Sequence, residues 1–198
     1  MSKAWLALLA SIVGAIAIFP YMRATVSGQV RPHVFSWTVW GLTTTIVFLA
    51  QLQSGGGYGA WAVGFSAVIA YSIAVLAFTK RSDVHIKRVD WVFFFSAISA
   101  IPLWLATQSA LAAVIVVTIV DVLGFGPTIR KAHDRPESES AQFFALIVVR
   151  NVLTLLALER YSVTTVLFPI AIGTMASIVM TVVLIGRKRL RSKTNFQA

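Results

Sequence analysis

The stretch IFPYMRATVSGQVRPHVFSW, residues 18–37, joins the end of one apolar run to the start of another. The first run stops near Pro20, a short basic segment carries Arg23 and Arg31, and a Trp-rich run begins after Pro32. The same device recurs. FPYMRA at 19–24 has its counterpart in GPTIRK at 126–131, so that Pro20 corresponds to Pro127 and Arg23 to Arg130, 107 positions apart. Lys80-Arg81 and Lys188-Arg189 close the third run after each proline at an offset of 108, which one inserted residue in AHDRPESES accounts for. This spacing predicts a duplicated unit of three helices.

Composition sets the class. Of 198 residues, 58% are hydrophobic and only 12% are charged, and the mean hydropathy is +0.81. Soluble domains carry about 25% charged residues, so this chain has too few to cover a water-facing surface. A polytopic membrane protein follows. Seven apolar runs are predicted to span, at approximately 4–22, 34–53, 58–79, 90–107, 109–130, 141–159 and 162–186. Lys3 and the apolar run behind it resemble a signal peptide, but the basic cluster at Arg23 and Arg31 outweighs Lys3 and favours a first membrane helix.

The net charge of +10 is distributed as orientation signals rather than as a nucleic-acid-binding face. Of the 17 basic residues, all but Lys3, Arg150 and Arg160 fall after the first, third, fifth and seventh runs. Positive-inside bias then sets the N-terminus outside and the C-terminus in the cytoplasm. Two triplets of like orientation need an odd helix between them. The expected fold is therefore all-α with seven transmembrane helices, as two parallel three-helix repeats joined by a linker helix (3+1+3). Residues 1–81 form the first repeat, 82–108 the linker, 109–189 the second repeat and 190–198 a basic cytoplasmic tail.

This layout resembles the PQ-loop superfamily, which includes the SWEET and SemiSWEET sugar transporters and lysosomal amino-acid exporters. Pro20 and Pro127 match the family proline near the cytoplasmic end of each triplet's first helix, and HVFSWTVWGL (33–42) looks like the family's second helix. Tyr21 and Thr128 stand where the family has glutamine, and neither 58–79 nor 162–186 carries the asparagine of the SWEET branch. The resemblance implies a transporter, with sugar less favoured as the solute.

Asp121 and Arg150 carry the sharpest chemical signal, since both fall near the middle of their runs. A charge at a membrane helix centre costs about 2.5–3.5 kcal/mol on insertion scales, so neither should face lipid alone. The short connection between their helices permits an Asp121–Arg150 pair, either a static salt bridge or part of a polar solute or proton site. Asn151 and Thr154 extend the polar patch, and the repeat sets Asn151 opposite Thr43 and Asp121 opposite Gly14. Trp37 and Trp40, three apart, suit a headgroup anchor or a gate. His33 reads as an interfacial polar residue, and Gln51 and Glu159 as exposed caps of the bundle. Pro20 and Pro127 read either as hinges or as plain helix ends.

No phosphate loop, metal-ligand spacing or nucleophile elbow is present in the sequence, and cysteine is absent. The reading is a non-enzymatic protein without cofactor or metal. It is a small transporter or facilitator for a small polar solute, open to proton coupling and to homo-oligomerisation. The leaning is towards a bacterial inner membrane, with the lipid bilayer as a partner and no nucleic acid. A membrane receptor or assembly factor that binds a peptide or protein stands as the alternative.

Overall fold

The computed structural model describes residues 2–29, 32–80 and 86–195, with side chains described as far as Leu190. The basic residues Arg31 and Arg81, the first boundary expected between repeat and linker, and the side chains of Arg191 and Lys193 lie outside the described residues. Seven helices account for the fold, with no strand among the described residues: α1 (Lys3–Val26), α2 (Val34–Gln53), α3 (Tyr58–Thr79), α4 (Arg88–Thr107), α5 (Ala110–Asp134), α6 (Ala141–Ala157) and α7 (Val163–Asn195). A 3₁₀ turn, Pro136–Ser138, links α5 to α6.

Local chemistry explains the breaks. Ser2 caps α1 by accepting from the Trp5 amide, and Ser140 caps α6 by accepting from the Phe143 amide. Asp90 reaches back to the Lys87 amide, Oδ2 to N 2.7 Å, at the start of α4. Gln108 adopts φ 50°, the left-handed conformation that stops a helix, and so divides α4 from α5. The expected break at TQSA is therefore present.

Six helices are long and apolar enough to cross a membrane. The sixth expected run, 141–159, is present as a shorter apolar helix. Helix α6 has 17 residues, about 25 Å at 1.5 Å per residue, because Leu158 turns extended where the run was expected to continue. The fifth and seventh helices instead overrun the expected ends, to Asp134 and Asn195. Large apolar side chains face outward: Phe78 is 68% exposed and Leu105 67%. Water would penalise that surface heavily, whereas a bilayer accepts it, and the chain is an integral membrane protein in its composition and helices.

Helix α3 packs against both α1 and α2, and α7 packs against both α5 and α6. Two seams join these groups: α1 lies against α6, and α2 against α5, while α3 also touches α6 and α7 touches α2. Helix α4 rests on α5 and α2. Close approach depends on small residues. A Cβ at Gly41 would stand 2.6 Å from the Tyr71 ring, and one at Gly59 would stand 2.8 Å from the Leu158 backbone nitrogen.

Three apolar clusters fill the interior. One gathers Val47 and Ala50 of α2, Val63 of α3, Val114 and Val117 of α5 and Phe168 of α7. A second joins Ala7 and Ala10 of α1 to Ala62 of α3 and Ala157 of α6. Both tie α1–α3 to α5–α7, and both lie toward the end bearing the loops at 54–57 and 158–162. The third, Ala132, Phe144, Ala176, Val179 and Val183, lies toward the basic end and is confined to α5, α6 and α7.

Candidate functional site

Asp121 sits halfway along α5 and Arg150 beyond the middle of α6, and both are buried. They do not form the expected pair. No Asp121–Arg150 ion pair occurs within 4.0 Å; the ion pairs among the described residues are His33–Asp90, Lys131–Glu139 and His133–Asp134. The reason is topological. Helices α5 and α6 are neighbours in sequence, but α7 packs against both of them, and each charge turns to a different seam.

Arg150 occupies the α1–α6 seam. Its stem lies across Gly14, where a Cβ would be 3.3 Å from Cδ. Its Nη2 then reaches α3, donating to the Ala62 carbonyl at 3.3 Å and to the Ser66 hydroxyl. These neutral acceptors hold the guanidinium without cancelling its charge. Asp121 occupies the α2–α5 seam, with Thr43 within hydrogen-bonding reach of its carboxyl. Its Oδ1 is buried with no partner, and so is the hydroxyl of Thr118, three residues earlier on the same helix.

The remaining expected residues bond mainly within their own helices. Asn151 is buried; its side-chain amide donates to the Ile147 carbonyl at 2.8 Å, and its Cβ lies 3.4 Å from where a Cβ at Gly173 of α7 would stand. Thr154 donates to the Arg150 carbonyl at 3.0 Å, within its own helix. Thr43, fully buried, donates to the Trp40 carbonyl at 3.1 Å.

Trp37 and Trp40 meet edge to face with centroids 5.0 Å apart, and Trp37 also packs on Tyr21 of α1 at 5.5 Å. Trp40 Nε1 is 3.8 Å from where a Cβ at Gly124 would stand. Gly124 follows Asp121 by about one turn, so the aromatic cluster lies between Asp121 and the basic end. Beyond it, a surface groove of about 670 Å³ is lined by Gly126, Pro127, Arg130, Lys131, Asp134 and Arg135.

Pro20 and Pro127 lie inside their helices, which run on to Val26 and Asp134. The plain helix-end reading is thereby overturned for both. Pro102 and Pro169 are likewise internal.

Gln51 departs from expectation. It is fully buried, and its Nε2 donates to the Thr165 carbonyl of α7 at 2.7 Å while Oε1 has no partner. Glu159 is exposed as expected, and its amide donates to the Gly56 carbonyl at 3.3 Å. Among the described residues, no group of three His, Cys, Asp or Glu side chains could hold a metal ion.

Sequence reasoning missed Ser66 as a partner of Arg150, and Thr118 as a second buried polar group on the helix of Asp121. Thr118 was detectable by its three-residue spacing from Asp121. Ser66 was not, because it reaches the site only through the packing of α3 on α6. No family model, no curated protein and no solved structure matches the chain.

Proposed function

We propose that this protein is a small secondary transporter or facilitator that moves a small polar solute by alternating access. The observation that carries the reading is the separation of the two intramembrane charges: Asp121 and Arg150 lie on different seams, Arg150 held by neutral acceptors and Asp121 with one buried oxygen unpartnered, and neither is in an ion pair among the described residues. A static structural pair would neutralise itself. Unpaired charges at this depth are costly unless a solute or ion meets them.

The helices are read as two parallel triplets, α1–α3 and α5–α7, with α4 as linker. Support comes from the neighbour pattern among these six helices, which is unchanged when α1, α2 and α3 are exchanged for α5, α6 and α7; α4 stands outside it, resting on α5 and α2. Positive-inside bias orients the basic end, with the C-terminus, to the cytoplasm. Both apolar clusters that bridge the triplets lie toward the loop end. That distribution favours a form sealed outside and less tightly joined within.

In this reading Arg150 meets the solute from one seam and Asp121 with Thr43 from the other, while Asn151 contributes from the α6 face that packs on α7. Trp37 and Trp40 gate the cytoplasmic approach, and Pro20 and Pro127 act as hinges. The bare positive charge of Arg150 favours a solute that carries an anionic group.

Counterflow into proteoliposomes across a panel of small metabolites tests the proposal. At least one solute is expected to exchange, with Asp121→Asn and Arg150→Gln each lowering the rate tenfold or more while still inserting. Unchanged flux in both variants would remove the site assignment. Co-purification of a stoichiometric protein partner without any flux would replace transport with the receptor reading.

A further inference from the structure

We propose that the α2–α5 seam is a binding site for a small monovalent metal cation of the sodium and potassium class, held by Asp121, Thr118 and Thr43. The inference deepens the transport reading, on which it rests, by naming the class of coupling ion.

The first observation is a pair of orphaned oxygens. Thr118 Oγ1 and Asp121 Oδ1 are both buried without a hydrogen-bond partner, in residues only 5% and 6% exposed. Three positions apart on one helix, they share a face. Threonines in apolar helices ordinarily give their hydroxyl to the carbonyl four residues back. Here Thr25, Thr38, Thr45, Thr154 and Thr181 all do so. Thr118 does not, although the same kind of carbonyl lies behind it.

The second observation comes from the facing helix. Thr43 spends its proton on the Trp40 carbonyl, so its remaining lone pairs are available as an acceptor toward a cation shared with the Asp121 carboxyl beside it. The seam thus presents one carboxylate and two hydroxyl oxygens from two helices, a hard-oxygen donor set of the kind that suits alkali and alkaline-earth ions. A single carboxylate balances one positive charge, which selects a monovalent ion over a divalent one. A proton would compete with the cation for the same carboxylate of Asp121. A bridging water would satisfy both orphaned oxygens but bring no charge, and Arg150 is committed to the other seam.

The test is binding to the purified full chain in nanodiscs, read by thermal midpoint and by tryptophan fluorescence, since Trp40 approaches Gly124, about one turn from Asp121 on α5. Sodium chloride is titrated against choline chloride at constant ionic strength, with potassium chloride as a parallel arm. The expected result is a saturable rise in midpoint with sodium or with potassium that choline does not give. Asp121→Asn should abolish it. Thr118→Val, a shape-conserving change that removes the orphaned hydroxyl, should fold and weaken it at least tenfold. Equal midpoints in all three chlorides would overturn the site, as would wild-type cation affinity in Thr118→Val. Because the measurement needs no flux, cation binding without transport of any solute would keep the site and remove the transport reading, and solute flux with no response to either cation would do the reverse.

Discussion

Gly14 of α1 lies directly under the side chain of Arg150 of α6: a Cβ at position 14 would stand 3.3 Å from Arg150 Cδ and 3.4 Å from Nε. The guanidinium passes over that gap to the Ala62 carbonyl and Ser66 hydroxyl of α3. One side chain therefore braces three helices, and the absence of a side chain on α1 makes the route available. Gly14→Leu should displace the stem and cost about 1–3 kcal/mol, the usual range for overpacking. The measurement is the thermal midpoint of the purified protein, repeated in an Arg150→Ala background. There the penalty should shrink by about 0.5–3 kcal/mol, the coupling typical of residues in contact. An equal penalty in both backgrounds would mean that the Arg150 stem is not what Gly14 accommodates.

Two other glycines predict opposite outcomes. At Gly59 a Cβ would meet the Leu158 backbone, 2.8 Å from N and 2.9 Å from Cα, and backbone cannot swing aside. Gly59→Ala should therefore force α3 away from the end of α6 and destabilise by about 1–3 kcal/mol. At Gly126 an added methyl group would meet nothing within 4 Å, and the backbone there is helical. Gly126→Ala should be neutral or stabilise by about 0.5–1 kcal/mol through helix propensity. Thermal unfolding of the two variants side by side checks both; a destabilised Gly126→Ala would imply a partner at that surface.

The helices were legible because apolar runs of spanning length are hard to build into anything else. Their ends on the basic side were not. Charged residues such as Arg130 and Lys131 read as loop, yet helix α5 continues through them to Asp134, since long basic side chains extend from a helix into the headgroup region. The depth of Asp121 and Arg150 was also readable, but not their company. Pairing was inferred from neighbouring helices in sequence, whereas the partners are set by α2, α1 and α3, which are remote in sequence. Gln51 failed for a related reason: a polar residue at a helix end looks exposed until the Thr165 carbonyl is seen to cover it.

That contact yields its own prediction. Gln51 donates to the Thr165 carbonyl from a fully buried position and joins α2 to α7 near the loop end. Gln51→Glu keeps the size but turns the donor into a group that, when ionised, only accepts, leaving two acceptors opposed without water. A buried hydrogen-bonding group left unsatisfied costs about 1–3 kcal/mol, and a charged one more. Gln51→Leu removes the orphaned Oε1 along with the donor, leaving only the Thr165 carbonyl unpaired, and should lose less. The order of thermal midpoints should be wild type, Leu, Glu; a Glu variant as stable as wild type would show that water reaches this position.

Pro20 and Pro127 offer the sharpest separation of stability from function. Each sits inside a helix that continues past it, so each removes a backbone donor and leaves the carbonyl four residues back, at Ile16 or Leu123, without its usual partner. Replacing either with alanine restores the bond and relieves the ring clash, a gain of up to about 3 kcal/mol by helix propensity alone. A proline that serves only packing should therefore give a variant as stable as wild type, or more so, with unaltered flux. If the two helices bend at these points during alternating access, Pro20→Ala and Pro127→Ala should instead unfold at equal or higher temperature while exchanging solute several-fold more slowly. The Pro102→Ala and Pro169→Ala variants, whose prolines lie outside the matched pair, provide the comparison and should keep their flux. Wild-type exchange rates in both the Pro20 and Pro127 variants would remove the hinge role, whatever solute the protein carries.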